Sequence, residues 1–270
     1  MPVLRRRLLA GAAAIVALTL GSIHATTPAH AIENKTRCGF LTIIAVRGSN
    51  EPAGIGSGAS SYIYGYGGYG SGDTAGGVAR FMKSDANIPV YNEALKYPAS
   101  ILPWDNADAK NYLSSEQEGT RNLKSEMNGL ASRCPDTITQ LVGYSQGAHV
   151  IGNVLQAPSG LSAAAKANLR GVALFADPTY RAGEPWDATG NGGGNGRFVR
   201  DKGAFNAWTG WSTTSASKVN MVRSYCLSND YFCQSAPGES AQTVHGSYGK
   251  NSDLQFKAYL WLKSFVTSAG

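Results

Sequence analysis

The sequence predicts a three-layer α/β/α fold in which a central, mostly parallel five-stranded sheet is covered by helices on both faces. Two observations predict it. Five apolar runs rich in β-branched residues have the length of strands, and segments between them repeat apolar residues at helical spacing. Strands that alternate with helices imply a parallel sheet, and in such sheets reactive and ligand-binding groups gather at the carboxyl ends of the strands.

The predicted strands occupy residues 40–46, 90–97, 138–144, 172–175 and 219–225. The predicted helices occupy residues 74–83, 109–132, 146–155 and 253–266. The second helix is the clearest, because Leu123, Met127 and Leu130 recur at helical spacing.

The first 31 residues carry the features of a signal peptide. Three arginines at positions 5–7 precede an apolar run over residues 8–20, and small residues lead up to a cleavage site after Ala31. The run is shorter than the roughly 18 apolar residues that a membrane helix needs, so we expect export without membrane insertion. We expect a single domain over residues 32–270, secreted by the general or the twin-arginine route.

The charge of the chain gives little reason to expect a nucleic-acid partner. The formal net charge is +6, but the leader takes three arginines and no acidic residue with it, which leaves +3 on the mature chain. A mildly basic exported protein accounts for this balance.

All four cysteines follow the leader, in a compartment that permits oxidation. The even number indicates two disulfides, and the short separation of Cys226 from Cys233 favours a local bridge, which leaves Cys38 to pair with Cys134. A zinc site is the alternative, but neither a C-x-x-C pair nor a histidine at ligand spacing accompanies the cysteines. We therefore expect no bound metal.

Two glycine-rich segments interrupt the pattern. Within residues 54–72, a stretch matches the dinucleotide fingerprint G-x-G-x-x-G, but no strand immediately precedes it and no helix opens within it. We interpret this segment as a tyrosine-rich surface loop. Residues 182–217 form a long connection with Trp208 and Trp211, which either offer a platform to a ligand or pin the loop to the domain.

Residues 143–147 read Gly-Tyr-Ser-Gln-Gly, the pattern G-x-S-x-G, between a predicted strand and a predicted helix. Such a turn holds its serine in a strained conformation at the top of the sheet, which requires small neighbours two positions to either side. The start of the helix directs main-chain N–H groups and the positive end of its dipole toward an anion formed there. Ser145 is therefore the predicted nucleophile.

A serine hydroxyl needs a base, and the chain after the leader has two histidines. His149 lies one turn along the helix that leads away from Ser145, so we expect a packing role for it. His245 follows the last predicted strand, where the hydrolase order of serine, acid and histidine places the base. By elimination, His245 is the predicted base.

The acid is expected between Ser145 and His245. The candidates are Asp177, Glu184, Asp187, Asp201, Asp230 and Glu239. Asp230 directly follows the fifth predicted strand and is enclosed by two cysteines, so a bridge there would clamp the loop that presents the carboxylate to His245. Asp177, which lies before a proline at the end of the fourth strand, is the alternative acid; otherwise its role is turn formation.

An oxyanion hole needs donors from two places. The main-chain N–H of Gln146 is the first, and Ser49, in the loop after the first strand, offers both its N–H and its hydroxyl as the second. Losing one such donor typically costs about 2.7–4 kcal/mol of transition-state stabilisation.

Taken together, these residues resemble the cutinase family, which includes cutinases and acetylxylan esterases, from about Cys38 to the final helix. The shared motifs are Arg47-Gly48-Ser49 with Glu51, Tyr97-Pro98-Ala99, Cys134-Pro135, the G-x-S-x-G residues, Ala176-Asp177-Pro178, and Cys226-x-x-x-Asp230-x-x-Cys233 followed by His245. The resemblance implies a compact α/β hydrolase without the large lid of lipases. It also implies Ser145, Asp230 and His245 as the catalytic residues, Ser49 and Gln146 as the oxyanion hole, and the disulfides Cys38–Cys134 and Cys226–Cys233.

We therefore expect a secreted, monomeric serine esterase that hydrolyses cutin-like polyesters and short to medium acyl esters through an acyl-enzyme intermediate, without a cofactor. Gly246 stands where cutinases commonly place an apolar residue, and the connection over residues 182–217 is longer than in compact fungal cutinases. Both departures favour a carbohydrate ester, so deacetylation of a plant polysaccharide is the alternative. The expected partner is a polyester, a lipid-like ester or an acetylated polysaccharide. A non-catalytic glycan-binding protein on a hydrolase scaffold is the more remote alternative.

Overall fold

The computed structural model describes residues 38–51, 72–85, 90–102, 109–211 and 219–267. The predicted signal peptide lies outside this part of the chain, as do residues 54–71 of the tyrosine-rich segment. Among the residues described, none of the helices combines the length and the hydropathy that crossing a membrane requires.

The strands are β1 (Leu41–Val46), β2 (Val90–Ala94), β3 (Ile138–Tyr144), β4 (Leu169–Phe175), β5 (Thr209–Trp211), β6 (Val219–Asn220) and β7 (Val222–Tyr225). Five of them form one sheet in the order β2-β1-β3-β4-β7, and every neighbouring pair is parallel. This confirms the predicted five-stranded sheet. β1 is buried along its whole length, which is why its apolar residues run on without alternating with polar ones.

The predicted strand over residues 219–225 is divided at Met221. Its first part, β6, pairs antiparallel with β5 in a separate ladder, whereas its second part, β7, forms an edge of the main sheet. The side chain of Asn220 accompanies the break, since its Oδ1 accepts a hydrogen bond from the N–H of Val222 at 2.9 Å. The second strand ends at Ala94, three residues before its predicted end at Tyr97, although the N–H of Leu95 still donates to the carbonyl of Ala45 in β1 at 2.9 Å.

The helices are α1 (Asp73–Ser84), α2 (Lys110–Arg133), α3 (Gln146–Gln156), α4 (Ala163–Asn168), α5 (Gly238–His245) and α6 (Ser252–Thr267). The four predicted helices are confirmed, with ends that differ by at most one residue. The sequence does not predict α4 or α5, because each buries too little to leave an apolar repeat: Ala165 in α4, and Ala241 with His245 in α5.

The sheet is the middle of three layers, as predicted. Alternate side chains of β1 point to opposite faces: Ile44 joins a core cluster with Leu123 of α2, and Ile43 joins another with Val78 of α1 and Leu262 of α6. Burying one such side chain contributes about 1.5–3 kcal/mol, so the helices on both faces stabilise the sheet.

The strand order fixes where a site can form. From β1 the chain passes to β2 on one side, whereas β3, β4 and β7 lie successively on the other side. The order therefore reverses between β1 and β3, and the loops that leave their carboxyl ends diverge. Ligands of open α/β sheets bind in the crevice at such a reversal. Ser49 and Ser145 follow these two strands.

Candidate active site

Ser145 occupies the turn between β3 and α3, at the reversal of strand order. Its φ of 51° and ψ of −118° are strained for a residue with a side chain, and its N–H donates to the carbonyl of Phe175 at 2.8 Å. A Cβ at Gly143 would lie 2.7 Å from the carbonyl of Gly147, and a Cβ at Gly147 would overlap the carbonyl oxygen of Val46. The small neighbours expected from the sequence are therefore a steric requirement of the turn.

His245, the last residue of α5, faces the predicted nucleophile. Its Nε2 lies 2.9 Å from Oγ of Ser145, and its Nδ1 lies 3.0 Å from each carboxylate oxygen of Asp230. An ionised carboxylate only accepts hydrogen bonds, so Nδ1 carries the proton and Nε2 is free to accept the serine hydroxyl. All three side chains are buried. The structure thus brings together three residues that the sequence separates by up to 100 positions.

The carboxylate of Asp230 is held by the loop that the disulfide Cys226–Cys233 closes. Its Oδ1 accepts the N–H of Phe232 at 2.7 Å and that of Cys233 at 2.8 Å. The preceding Asn229 has a φ of 66°, in the left-handed region that asparagine tolerates better than most residues. The same short loop therefore carries the carboxylate and orients it.

Aromatic side chains pack around the imidazole of His245. The ring of Tyr144 stacks on it with centroids 5.4 Å apart, and Phe232 meets it edge-on at 4.7 Å. Tyr248 is fully buried nearby, and its burial, together with the charge of Asp230, raises its pKa well above 10. These rings keep water from the Asp230–His245 pair, which strengthens the electrostatic interaction between the two.

Both predicted disulfides are present, Cys38–Cys134 and Cys226–Cys233. None of the described cysteines is free, so they offer no thiolate and the alternative of a zinc site on them is wrong. The first bridge spans a sequence separation of 96 and the second a separation of 7. By restricting the unfolded chain, the long loop contributes about 4.7 kcal/mol to stability and the short loop about 2.5 kcal/mol.

The loop after β1 brings Ser49 to the cavity that Ser145 lines. The hydroxyl oxygen of Ser49 is buried and has no hydrogen-bond partner among the described residues. Arg47 anchors this loop, because its guanidinium donates to the carbonyl of Tyr97 at 2.9 Å and its own carbonyl accepts the hydroxyl of Tyr97 at 2.5 Å. Glu51 also holds the loop, because its carboxylate accepts the N–H of Gly48 at 2.6 Å.

The side chain of Gln146 is hydrogen-bonded to the loop at Ser100 and to the first turns of α2. Its Nε2 donates to the carbonyls of Ser100 at 3.2 Å and Tyr112 at 3.0 Å, and its Oε1 accepts the hydroxyl of Ser115 at 3.2 Å. Its main-chain N–H lies in the first turn of α3, where helical N–H groups lack intrahelical acceptors. Any contribution of Gln146 to an oxyanion hole therefore comes from the main chain.

A cavity of about 210 Å³ opens beside Ser145 and His245. The residues that line it are Ser49, Asn50, Ile101, Leu102, Tyr112, Tyr144, Ser145, Pro178, Phe232, Gln242, His245 and Gly246. Leu102, Tyr112 and Phe232 form an apolar wall and belong to a hydrophobic cluster distinct from the two that cover the sheet. Asn50 and Gln242 add polar groups to the lining.

Asp177, the alternative acid, and His149, the second histidine, have structural roles. Asp177 accepts the N–H of Thr179 at 2.9 Å and lies 3.9 Å from the guanidinium of Arg200, which confirms its turn-forming role. His149 is buried with its Nδ1 3.0 Å from the hydroxyl of Tyr112. Burial, reinforced by the positive charge of Arg200, lowers the pKa of His149 to about 3. His149 is therefore a neutral packing residue, as expected.

The connection over residues 182–217 packs against the domain in its described part. Trp208 is buried, and its Nε1 donates to the carbonyl of Leu155 at 2.8 Å. Trp186 belongs to the same core cluster as Trp208. Of the two roles that the sequence left open, pinning is confirmed for Trp208, whereas the side chain of Trp211 lies outside the described part.

Sequence reasoning assigned no role to Tyr144, Tyr112 or Gln242, all of which line the cavity. Tyr144 occupies the first variable position of the G-x-S-x-G motif, directly before Ser145, and this adjacency could have indicated that it lies in the site. Gln242 precedes His245 by about one helical turn, so prediction of α5 would have put both on one face. No sequence pattern connects Tyr112 to the site.

A parallel sheet whose strand-to-helix turn carries a serine within hydrogen-bond distance of an imidazole defines the class of α/β hydrolases. The family model for Cutinase matches residues 67–264. The chain therefore belongs to the cutinase family, which assigns it to the carboxylic ester hydrolases.

Curated relatives match the chain over different lengths. Cutinase 11 of Verticillium dahliae is 32% identical over 168 residues, which cover 58% of this chain and 52% of that protein. Acetylxylan esterase 2 of Talaromyces purpureogenus is 26% identical over 252 residues, or 89% of this chain and 94% of that protein. The chain thus spans about half the length of the first relative and nearly all of the second.

Among solved structures, the catalytic core domain of acetyl xylan esterase from Trichoderma reesei superposes with a TM-score of 0.61 at 25% sequence identity. The superposition covers 84% of this chain and 99% of that one. The likeness extends over the whole of the solved domain.

Proposed function

We propose that the chain is a secreted serine esterase that cleaves carboxylic esters through an acyl-enzyme intermediate. The observation that carries the proposal is the line of hydrogen bonds from Oγ of Ser145 through the ring of His245 to Asp230, with separations of 2.9 and 3.0 Å. A serine hydroxyl becomes nucleophilic when an adjacent base takes its proton and a third group orients the base.

In the first half of the reaction, Oγ of Ser145 attacks the ester carbonyl carbon while Nε2 of His245 takes the hydroxyl proton. The carbonyl oxygen becomes an oxyanion, which accepts hydrogen bonds from Ser49 and from the main-chain N–H of Gln146. Asp230 stabilises the imidazolium at Nδ1. When the tetrahedral intermediate collapses, Nε2 returns the proton to the leaving alkoxide, and the acyl group stays on Ser145.

In the second half, a water molecule takes the place of the alcohol. His245 removes a proton from this water as it attacks the acyl carbon, and the same donors hold the second oxyanion. Collapse breaks the bond to Oγ, and His245 returns the proton to Ser145. The products are one carboxylic acid and one alcohol, with no cofactor consumed.

The apolar wall of Leu102, Tyr112 and Phe232 suits a short to medium acyl chain, so cutin-like polyesters and simple acyl esters are the proposed substrates. Acetylated plant polysaccharide is the second candidate. It is favoured by the match to Acetylxylan esterase 2 over 89% of this chain, and by the polar Asn50 and Gln242 in the lining. Relative rates on acetyl, butyryl and longer esters, and on acetylxylan against an insoluble polyester, separate the two.

Secretion and a monomeric state are part of the same proposal. The leader over residues 1–31 has the composition of a signal peptide, and two disulfides are typical of proteins that mature in an oxidising compartment. Mass determination of the exported product tests cleavage after Ala31, and light scattering tests the monomer.

Replacement of the nucleophile tests the activity itself. Ser145→Ala is expected to lower kcat on a p-nitrophenyl ester by roughly 10⁴-fold or more without loss of the fold, which circular dichroism checks. Ser247→Ala, which removes another hydroxyl close to His245, is the matched control and should retain activity. Normal hydrolysis by folded Ser145→Ala would refute the proposal, and inertness of the wild-type chain would favour the non-catalytic glycan-binding alternative.

A further inference from the structure

Glu51 joins two elements that the chain separates by more than twenty residues. One carboxylate oxygen, Oε2, accepts the N–H of Gly48 at 2.6 Å, and the other, Oε1, accepts the N–H of Asp73 at 2.9 Å. Asp73 is the first residue of α1, whereas Gly48 immediately precedes Ser49. The two oxygens of this side chain therefore accept main-chain N–H groups from two places, the loop after β1 and the start of α1.

The contact with Asp73 supplies what α1 lacks locally. The cap position of α1 is Gly72, which has no side chain to accept a hydrogen bond from the first turn. Gly72 has a φ of +72°, and a Cβ there would overlap the carboxylate of Glu51. The helix start is therefore shaped to admit a carboxylate from another part of the chain, and the positive end of its dipole favours that charge.

The contact with Gly48 acts on the loop that carries Ser49. Gly48 packs against the ring of Tyr144 so closely that a Cβ would lie 2.5 Å from a ring carbon. The ring therefore restricts the main chain of Gly48, in addition to the hydrogen bond to Glu51. The main chain of Arg47 is held by the hydroxyl of Tyr97. Glu51 completes these restraints, because it ties the peptide before Ser49 to the first residue of α1.

We propose that Glu51 is a positioning residue for the oxyanion hole, which fixes Ser49 relative to Ser145 by bridging Gly48 and the start of α1. This inference rests on the proposed esterase function. A donor fixed in place before the reaction stabilises charge that develops only in the transition state, so its displacement lowers kcat and leaves KM nearly unchanged.

The test compares Glu51→Gln with Ser162→Ala in the secreted chain, using p-nitrophenyl acetate. Glutamine keeps the size of the side chain but has one acceptor oxygen, and its NH₂ group faces one of the two N–H donors. Ser162→Ala removes a cap from α4, where Oγ of Ser162 accepts the N–H of Ala165 at 3.0 Å, and is the matched control for a lost helix cap.

We expect Glu51→Gln to lower kcat about 10- to 100-fold and to change KM by no more than about twofold. This loss is smaller than that caused by removing one oxyanion donor, because the donor is displaced and not deleted. Ser162→Ala should lower the melting temperature and leave kcat unchanged. Retention of kcat by Glu51→Gln, or a rise in KM with kcat unchanged, would overturn the proposal. If Glu51→Gln does not fold, Glu51→Asp, which keeps the charge but withdraws the oxygens, must show the same selective loss of kcat or the proposal fails.

Wild-type hydrolysis and its loss in Ser145→Ala are measured first. If either is absent, the esterase function itself fails and the role of Glu51 falls with it. If the wild type hydrolyses the ester, Ser145→Ala does not, and Glu51→Gln has the same kcat as the wild type, then the role of Glu51 is refuted while the esterase function stands.

Discussion

The hydroxyl of Tyr144 donates a hydrogen bond of 2.5 Å to the carbonyl oxygen of His245. That carbonyl lies at the end of α5, where the last carbonyls of a helix have no intrahelical donor. Burial raises the pKa of Tyr144 well above 10, so the hydroxyl remains protonated and able to donate. The residue beside the nucleophile is thus tied to the main chain of the base by a contact separate from the Ser145–His245 hydrogen bond.

Removal of this hydroxyl should misplace the base without disturbing the core. Tyr144→Phe keeps the ring that stacks on His245 and deletes a single hydrogen bond, whose net value is about 0.5–1.5 kcal/mol. We expect kcat on p-nitrophenyl acetate to fall about two- to tenfold with KM unchanged. Equal kcat values for Tyr144→Phe and wild type would show that the contact does not position His245.

The acid is distinguished by a pair of amide substitutions. Asp230→Asn should lower kcat by about 10⁴-fold, because an amide no longer holds the imidazole with its proton on Nδ1. Asp177→Asn should retain most of the activity and lose stability, since Asp177 faces the buried Arg200. Steady-state kinetics and urea unfolding of both variants measure this, and the opposite ranking of activities would move the assignment to Asp177.

The two disulfides should differ in what their loss affects. Replacing Cys226 and Cys233 by serine frees the loop that orients Asp230. The main effect of this double substitution should therefore be a lower kcat rather than a lower free energy of unfolding. Replacing Cys38 and Cys134 by serine should lower stability by up to about 4.7 kcal/mol and leave kcat nearly intact. Denaturant unfolding and steady-state kinetics of each double variant measure these effects. A similar loss of kcat in both variants would contradict the distinction between a positioning bridge and a stabilising bridge.

His149 should make the folded chain acid-sensitive. Its pKa falls from 6.5 to about 3 on folding, chiefly because it is buried. The unfolded chain therefore binds a proton that the folded chain does not, so stability is lost as pH falls from about 6.5 toward 3, by on the order of a few kcal/mol. Between pH 7 and pH 4, the urea midpoint should fall less steeply with decreasing pH for His149→Gln than for wild type. An equal dependence of the midpoint on pH in the two proteins would show that His149 is not the cause of the acid sensitivity.

Much of the fold was predictable because its central elements are buried on both sides. Continuous apolar runs marked β1 and β4, and helical periodicity marked α2 and α6. α5 escaped prediction because two buried residues in eight leave no periodic pattern, although the helix ends in His245. The break at Met221 depends on the Asn220 side chain and on pairing with β5, a distant partner that local propensity does not reveal.

The candidate site was predictable where chemistry restricts the residue type. A nucleophile turn requires glycine at 143 and 147, and the scarcity of histidine left His245 as the base. The supporting contacts were not predictable, because they arise from tertiary packing between segments far apart in the chain. Tyr144 with His245 and Glu51 with Asp73 are examples in which no local pattern names the partner.

The central claim is that His245 activates Ser145 for covalent attack, and labelling by a fluorophosphonate tests it most directly. Reaction of the folded protein followed by peptide mass spectrometry should give one phosphonyl adduct, on Ser145, and the rate of labelling should fall at least about 100-fold in His245→Ala, since general-base assistance contributes 10²–10⁴-fold. An adduct on another residue, or equal labelling rates in wild type and His245→Ala, would contradict the claim.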